Sequence, residues 1–163
     1  MSQSPYDQVV AYILENQTKF YRLAYSYTRN REAALDVVQN AICKALEKYQ
    51  DIRNLNYLKT WFYRVLVNEC LIFLQKNKKE FICEPEEMRE EPYFEPAYEQ
   101  GSGIYELINA LPEQNKTVIM LHYYEEMTLK EISKILEVNL STVKSRLYAG
   151  LNKLKRSLEE VSI

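Results

Sequence analysis

Apolar residues in the first 79 positions recur at helical spacing and fall into three segments separated by short polar stretches. Tyr6 to Thr28 reads as a first helix, with Val9, Val10, Ile13, Leu14, Phe20, Leu23 and Ala24 on a broad face. Asn30 offers a side-chain acceptor to open a second helix, which runs to about Tyr49. Ala34, Val38, Ala41, Ile42, Ala45 and Leu46 form its apolar face, and Asp36, Gln39, Asn40 and Glu47 occupy the other side. A third helix, Leu55 to about Lys78, brings Leu58, Phe62, Val65, Leu66, Cys70 and Phe73 into one arc at about 100° per residue.

The pattern resumes after residue 104. Leu111-Pro112-Glu113 opens a helix that carries Val118, Ile119, Leu121 and Tyr124. Thr128-Leu129-Lys130-Glu131 has the spacing of a capping box, predicting a short helix over Thr128 to Leu136 with Ile132, Ile135 and Leu136 inward. After the turn Glu137-Val138-Asn139, Asn139 can cap a longer helix. Its core face would be Val143, Leu147, Leu151, Leu154 and Leu158, and its outer face Ser141, Lys144, Ser145, Tyr148 and Asn152. A short helix, a tight turn and a second helix with a polar, basic outer face form a helix-turn-helix, whose second helix can enter a DNA major groove.

Between the two halves the pattern breaks. Residues 80–103 contain Pro85, Pro92, Pro96, Gly101 and Gly103, whereas elsewhere Gly occurs only at 150 and Pro only at 5 and 112. The chain therefore reads as all-α, with two small helical domains, 5–79 and 104–160, joined by a flexible linker over 80–103. Fully extended, that linker would span roughly 80 Å.

Charge changes the picture. The total of 21 Lys plus Arg against 23 Asp plus Glu gives a net charge of -2, which by itself argues against a nucleic-acid partner. Its distribution argues the reverse. Arg89 stands against eight glutamates in residues 80–103, while residues 1–79 carry 12 basic and 7 acidic groups. Val138 to Leu158 holds Lys144, Arg146, Lys153, Lys155 and Arg156 with no acid. An acidic connector separates two basic surfaces.

Composition excludes other classes. The chain has 47% apolar and 27% charged residues, as an ordinary folded protein does. No leader-like opening and no span-length apolar run is present, so a cytoplasmic protein is expected. Cys43, Cys70 and Cys83 match neither paired disulfides nor a zinc site and read as free thiols, with Cys43 and Cys70 packed as small apolar groups. No Gly-rich phosphate loop or metal-spaced cluster appears, and the sole histidine, His122, reads as structural. No cofactor, small-molecule substrate or enzymatic activity is expected.

On the third helix Trp61, Arg64, Asn68 and Gln75 share a stripe that ends in Lys76, Lys78 and Lys79. Rings stack on unpaired bases, amides bond their edges and cations hold the backbone, so this stripe suits melted nucleic acid. A Trp at helical spacing also suits a core, and a basic last turn also favours the helix dipole. On the last helix, Ser141, Thr142, Lys144 and Ser145 at the N-terminal end would face base edges or phosphates, with Arg146, Tyr148 and Lys153 further along.

Three blocks together are recognisable: REAALDVVQNAICKALEKY from Arg31, LKTWFYRVLVNECLIFLQKNKK from Leu58, and LPEQNKTVIMLHYYEEMTLKEISKILEVNLSTVKSRLYAGLNKLK from Leu111. Through them the chain resembles the extracytoplasmic-function group of bacterial sigma-70 family RNA polymerase sigma factors over nearly its whole length. The resemblance implies that the N-terminal domain is similar to region two and the C-terminal domain to region four. Asp36, Val38, Gln39 and Asn40 match the segment that docks on the coiled-coil clamp of the polymerase largest subunit; the family's usual acid after the Gln is Asn40 here. Trp61, Arg64 and Asn68 match the segment for recognition and opening of the minus-ten element. The family often has an acid where this chain has Ile72, and Arg where it has Gln75. Thr142, Lys144, Ser145 and Arg146 match the helix that reads the minus-thirty-five element.

The resemblance further implies core RNA polymerase and promoter DNA as partners, with the linker near the RNA exit path. It also implies sequestration by an anti-sigma factor, often membrane-bound and tied to envelope stress, which would hold the protein at the inner face of the membrane. The alternative is a stand-alone helix-turn-helix regulator, which would bind duplex DNA tightly by itself and dimerise on a palindrome.

Overall fold

The computed structural model describes residues 4–83 and 103–162, with side chains for 4–77 and 103–160. These residues fall into two compact units, one on each side of the acidic stretch. Among them all regular structure is helical.

The N-terminal unit has four helices: α1 (Pro5–Glu15), α2 (Gln17–Thr28), α3 (Arg31–Glu47) and α4 (Leu58–Cys83). Two single 3-10 turns, Tyr49–Asp51 and Leu55–Tyr57, connect α3 to α4. The helix expected over Tyr6 to Thr28 is thus two helices. Asn16 leaves helical geometry at φ -120° and ψ 16°; its amide donates to the Tyr12 carbonyl at 2.8 Å and its N–H to Ile13 at 3.2 Å. A short amide side chain that bonds the preceding turn competes with the helical ladder, and the Asn16 carbonyl then accepts from Phe20 to open α2. The buried stripe of α1 is Val9 and Ile13, with Val10 half-buried. Leu14, expected inward, is 62% exposed because it lies about 100° round the helix from Ile13.

Helix α2 buries Phe20, Leu23 and Ala24 as expected, and also Tyr21, Tyr25, Ser26 and Tyr27. Phe20 packs tilted against Phe62 with ring centroids 4.4 Å apart and meets Tyr63 edge-on at 5.4 Å, so ring packing locks α2 to α4. Helices α2, α3 and α4 pack pairwise, and α1 packs on α3 and the first 3-10 turn. Asn30 caps α3, its Oδ1 accepting from the Ala33 N–H at 2.8 Å. Ala34, Val38, Ala41 and Ala45 are buried, Ile42 and Leu46 half-buried, while Val37 extends the inward face. On α4, Leu58, Phe62, Leu66 and Cys70 are buried and Val65 and Phe73 half-buried. The helix continues past Lys79 to Cys83, four residues into the stretch read as linker, and stops two residues before Pro85. Cys43, expected to be packed, is exposed; Cys70 is buried, and neither forms a disulfide.

The C-terminal unit comprises α5 (Gly103–Asn109), α6 (Glu113–Ile119) with a π turn over Met120–Tyr124, α7 (Leu129–Leu136) and α8 (Leu140–Ser162). The capping box is formed: Thr128 Oγ1 accepts from Glu131 N–H at 3.0 Å, and Glu131 Oε1 accepts from Thr128 N–H at 2.9 Å. His122 Nδ1 donates to the Met127 carbonyl at 2.7 Å, tying the π turn to the residue before that cap. Glu137 ends α7 in the left-handed region at φ 58°, which turns the chain sharply into α8. The Asn139 carbonyl accepts from Thr142 and Val143 and so begins α8. Val143, Leu147 and Leu154 are buried and Leu151 half-buried. Leu158, expected inward, is exposed, because by then α8 has run beyond its buried positions.

Candidate nucleic-acid interfaces

Helix α4 builds the first surface. Side chains spaced three, four and seven apart line one flank of a helix, and here Trp61, Val65, Asn68, Ile72 and Gln75 border a groove of about 450 Å³. Lys44, Lys48 and Asp51 form the facing wall, from the end of α3 and the turn after it. Glu69, buried at the base, is paired with the Lys44 ammonium, so one cation is pinned while Lys48 remains exposed. Trp61 is half-buried, leaving part of its ring open, and Asn68 and Gln75 are exposed. The groove thus gathers an aromatic surface, two amides and two ammonium groups.

Arg64, placed on the same stripe by helical arithmetic, is half-buried and stands outside this lining. Lys76 is exposed on the following turn. Lys78 and Lys79 belong to α4, and their side chains lie outside the described residues. Lys44, Lys48, Asp51 and Glu69 were not read from sequence as part of this site. Lys44 and Lys48 carried a signal, since they lie one turn apart at the basic end of α3, but the turn that folds them over α4 has no periodicity to read.

Helix α8 builds the second surface. Ser141, Lys144, Ser145, Tyr148 and Lys153 are exposed, and Thr142 and Arg146 half-buried. Ser141, Thr142, Ser145 and Arg146 line an open groove of about 470 Å³ together with Asn115 and Ala149. Asn115 was also missed: its amide donates to the Arg146 carbonyl at 2.9 Å and ties α6 to the N-terminal part of α8. Gly150 marks the same crossing, where an added Cβ would stand 2.8 Å from Ile119 Cδ1 and 3.1 Å from Asn115 Cβ. The first turn of α8 contains no acid, so its positive dipole end is open to phosphate.

A third set lies on α3. Asp36, Gln39 and Asn40 are exposed within two turns, an arrangement that can meet a partner. Val38 is 7% exposed and faces the core, so its side chain supports that face from behind and does not present itself to a partner.

Comparison with known proteins accounts for both units. Residues 12–80 match the model of sigma-70 region 2, and residues 103–154 match sigma-70 region 4. The RNA polymerase sigma factor SigV of Bacillus subtilis is 36% identical over 150 residues, covering 92% of this chain and 90% of that protein. The ECF RNA polymerase sigma factor SigW of the same organism is 27% identical over 158 residues, covering 88% and 84%. Among solved structures, the sigma factor RpoE of Bartonella quintana, in complex with the anti-sigma factor NepR, shares the fold at a TM-score of 0.79 and 22% identity, covering 91% of this chain and 95% of that one. CnrH in complex with the cytosolic domain of CnrY gives a TM-score of 0.70 at 16% identity, covering 93% and 88%.

Two helical units, matched by sigma-70 regions 2 and 4 and the second with a helix-turn-helix, define a transcription-initiation protein. The chain belongs to the extracytoplasmic-function branch of the bacterial sigma-70 family of RNA polymerase sigma factors. It is a sigma factor that directs promoter recognition and melting through regions 2 and 4. A stand-alone helix-turn-helix regulator would leave the region 2 match over residues 12–80 without a role. Among the described residues no helix is long and apolar enough to cross a membrane, and no group of three or more His, Cys, Asp or Glu could hold a metal ion.

Proposed function

We propose that the α4 groove holds unpaired bases of the melted minus-ten strand, while α8 enters the major groove at the minus-thirty-five element. The observation that carries this reading is the convergence of Trp61, Asn68 and Gln75 with Lys44 and Lys48 on one groove. Duplex opening costs about 1.4 kcal/mol per base step in lost stacking. A surface that stacks and bonds the exposed bases offsets that cost without bond chemistry, and the polymerase supplies the catalysis. On α8, Lys144 is the exposed cation on the open face nearest the N-terminus, suited to a base edge or a phosphate, and Arg146 and Lys153 serve the backbone.

Asp36, Gln39 and Asn40 serve as the contact to the clamp of core RNA polymerase. In this reading residues 5–79 and 104–160 are the working domains, and the acidic stretch between them lies along the polymerase near the path of the RNA, where negative charge keeps RNA from sticking. The chain works in the cytoplasm. An anti-sigma factor holds it inactive, as the complexes of RpoE with NepR and CnrH with CnrY suggest, and a membrane-bound form of that partner would place the pair at the inner face of the membrane.

The test is in vitro transcription with core polymerase. Initiation from a defined promoter should require this chain, and a gel shift on promoter duplex should be weak for the chain alone and strong with core. Tight binding by the free chain, unchanged by core, would contradict the proposal.

A further inference from the structure

Part of the α4 groove is apolar and open. Trp61, Val65, Leu71 and Ile72 line it, the Trp61 ring is half-buried and Ile72 is 44% exposed. Lys48 is exposed on the facing wall, and the Lys44 side chain is 50% exposed although it is paired with Glu69. Lys76, one residue beyond Gln75, is exposed as well. A groove with rings for bases and cations for phosphates also suits any extended polymer that carries aromatic and acidic groups in close succession.

The chain carries such a polymer itself. Residues 84–102, between the two described parts, hold seven glutamates against Arg89, together with Tyr93, Phe94 and Tyr98. The N-terminal unit has the opposite balance, with 12 basic and 7 acidic groups in residues 1–79. The segment begins where α4 ends, at Cys83, and Ile72 lies about 17 Å back along the helix from that end. Tyr93 is ten residues past Cys83, and about 33 Å of extended chain is more than enough for it to return to Ile72. From Tyr93 to Tyr98 an extended chain covers about 17 Å, and from Ile72 to Trp61 the helix axis covers about the same. A chain that doubles back along α4 can therefore set a ring at each end of the groove.

We propose that in the free chain residues 93–99 lie in the α4 groove, with Tyr93 and Phe94 against Ile72, Tyr98 on the open part of the Trp61 ring, and Glu95 and Glu99 beside Lys48 and Lys44. Pro92 and Pro96 favour this by restricting Glu91 and Glu95 to extended backbone. The segment excludes unpaired bases until core polymerase draws it away, which couples strand binding to assembly. That consequence rests on the assignment of the groove to the melted strand; the contact itself does not.

Trp61 is the sole tryptophan, so its emission, excited where tyrosine does not absorb, reads the groove in the full chain. The experiment compares the unmodified chain with one carrying Tyr93→Ala, Phe94→Ala and Tyr98→Ala, all outside the described helices. Acrylamide quenching of Trp61 should rise about twofold in the variant, because the ring is covered in most molecules of the unmodified chain and in few of the variant. A single-stranded oligodeoxynucleotide covering the minus-ten element should bind the variant about tenfold more tightly, the gain expected when a groove nine-tenths covered becomes free. Equal quenching of the two chains, or a measurable oligonucleotide affinity that is the same for both, overturns the proposal. Protection of Trp61 that fades on dilution overturns it too, since the segment would then come from a second copy. If quenching rises in the variant but neither chain binds the oligonucleotide, with core polymerase or without, the contact stands and the assignment of α4 to the melted strand falls.

Discussion

Glu69 and Lys44 pair in the groove that Trp61 borders, with unequal exposure: the lysine side chain is 50% exposed and the glutamate 7%. Removing the acid lets Lys44 reach water, so Glu69→Ala should cost about 1 to 2 kcal/mol, below the 3 to 5 typical when both partners are buried. Urea unfolding measures it, and no loss would mean the pair contributes nothing. The pair was illegible in sequence because its members are 25 residues apart and only the packing of α3 on α4 joins them. Capping was legible, because a helix start is a local signal. Thr128→Ala should remove about 1 kcal/mol from the C-terminal unit. Glu137 sits at φ 58°, a conformation that disfavours side chains with a Cβ. Glu137→Gly should therefore stabilise that unit by about 0.5 to 1 kcal/mol in thermal or urea unfolding, and a destabilised variant would contradict the strain argument.

At the scale of elements, apolar periodicity located the helices but not the break at Asn16 or the outward turn of Leu14 and Leu158. Periodicity reports which face of a helix is apolar; where that face stops finding a partner depends on the neighbouring helix. The same limit hid the crossing of α6 and α8. Asn115 and Gly150, neither of which stands out in the sequence pattern, together set how closely α8 is held to α6. Gly150→Val would drive two methyl groups against Ile119 and Asn115, at a site where one Cβ is already 2.8 Å from a buried side chain. A loss of about 2 kcal/mol or more is expected. Gel shifts of the holoenzyme on upstream duplex should weaken with it, while binding to a melted minus-ten strand should not.

For the whole molecule, the balance of 21 basic against 23 acidic groups hid a division of labour that only the order of charges along the chain disclosed. Family resemblance and helical class were legible because they reside in local blocks. The groove on α4 was half legible: Trp61, Asn68 and Gln75 lie on one helix, whereas its second wall needs a turn to fold back. The division predicts separable defects. Lys144→Ala should weaken binding to upstream duplex by about 1 to 3 kcal/mol and leave a pre-melted template nearly unaffected. Trp61→Ala should leave upstream binding intact and impair opening. The most direct measurement is promoter opening by reconstituted holoenzyme, read from 2-aminopurine placed in the minus-ten strand, with the unmodified chain and with Trp61→Ala. The unmodified chain should give a fluorescence rise that needs core polymerase, and Trp61→Ala should reduce its amplitude about tenfold or more. An unchanged rise with Trp61→Ala, or no rise with any chain at a promoter the holoenzyme binds, would contradict the assignment of strand opening to α4.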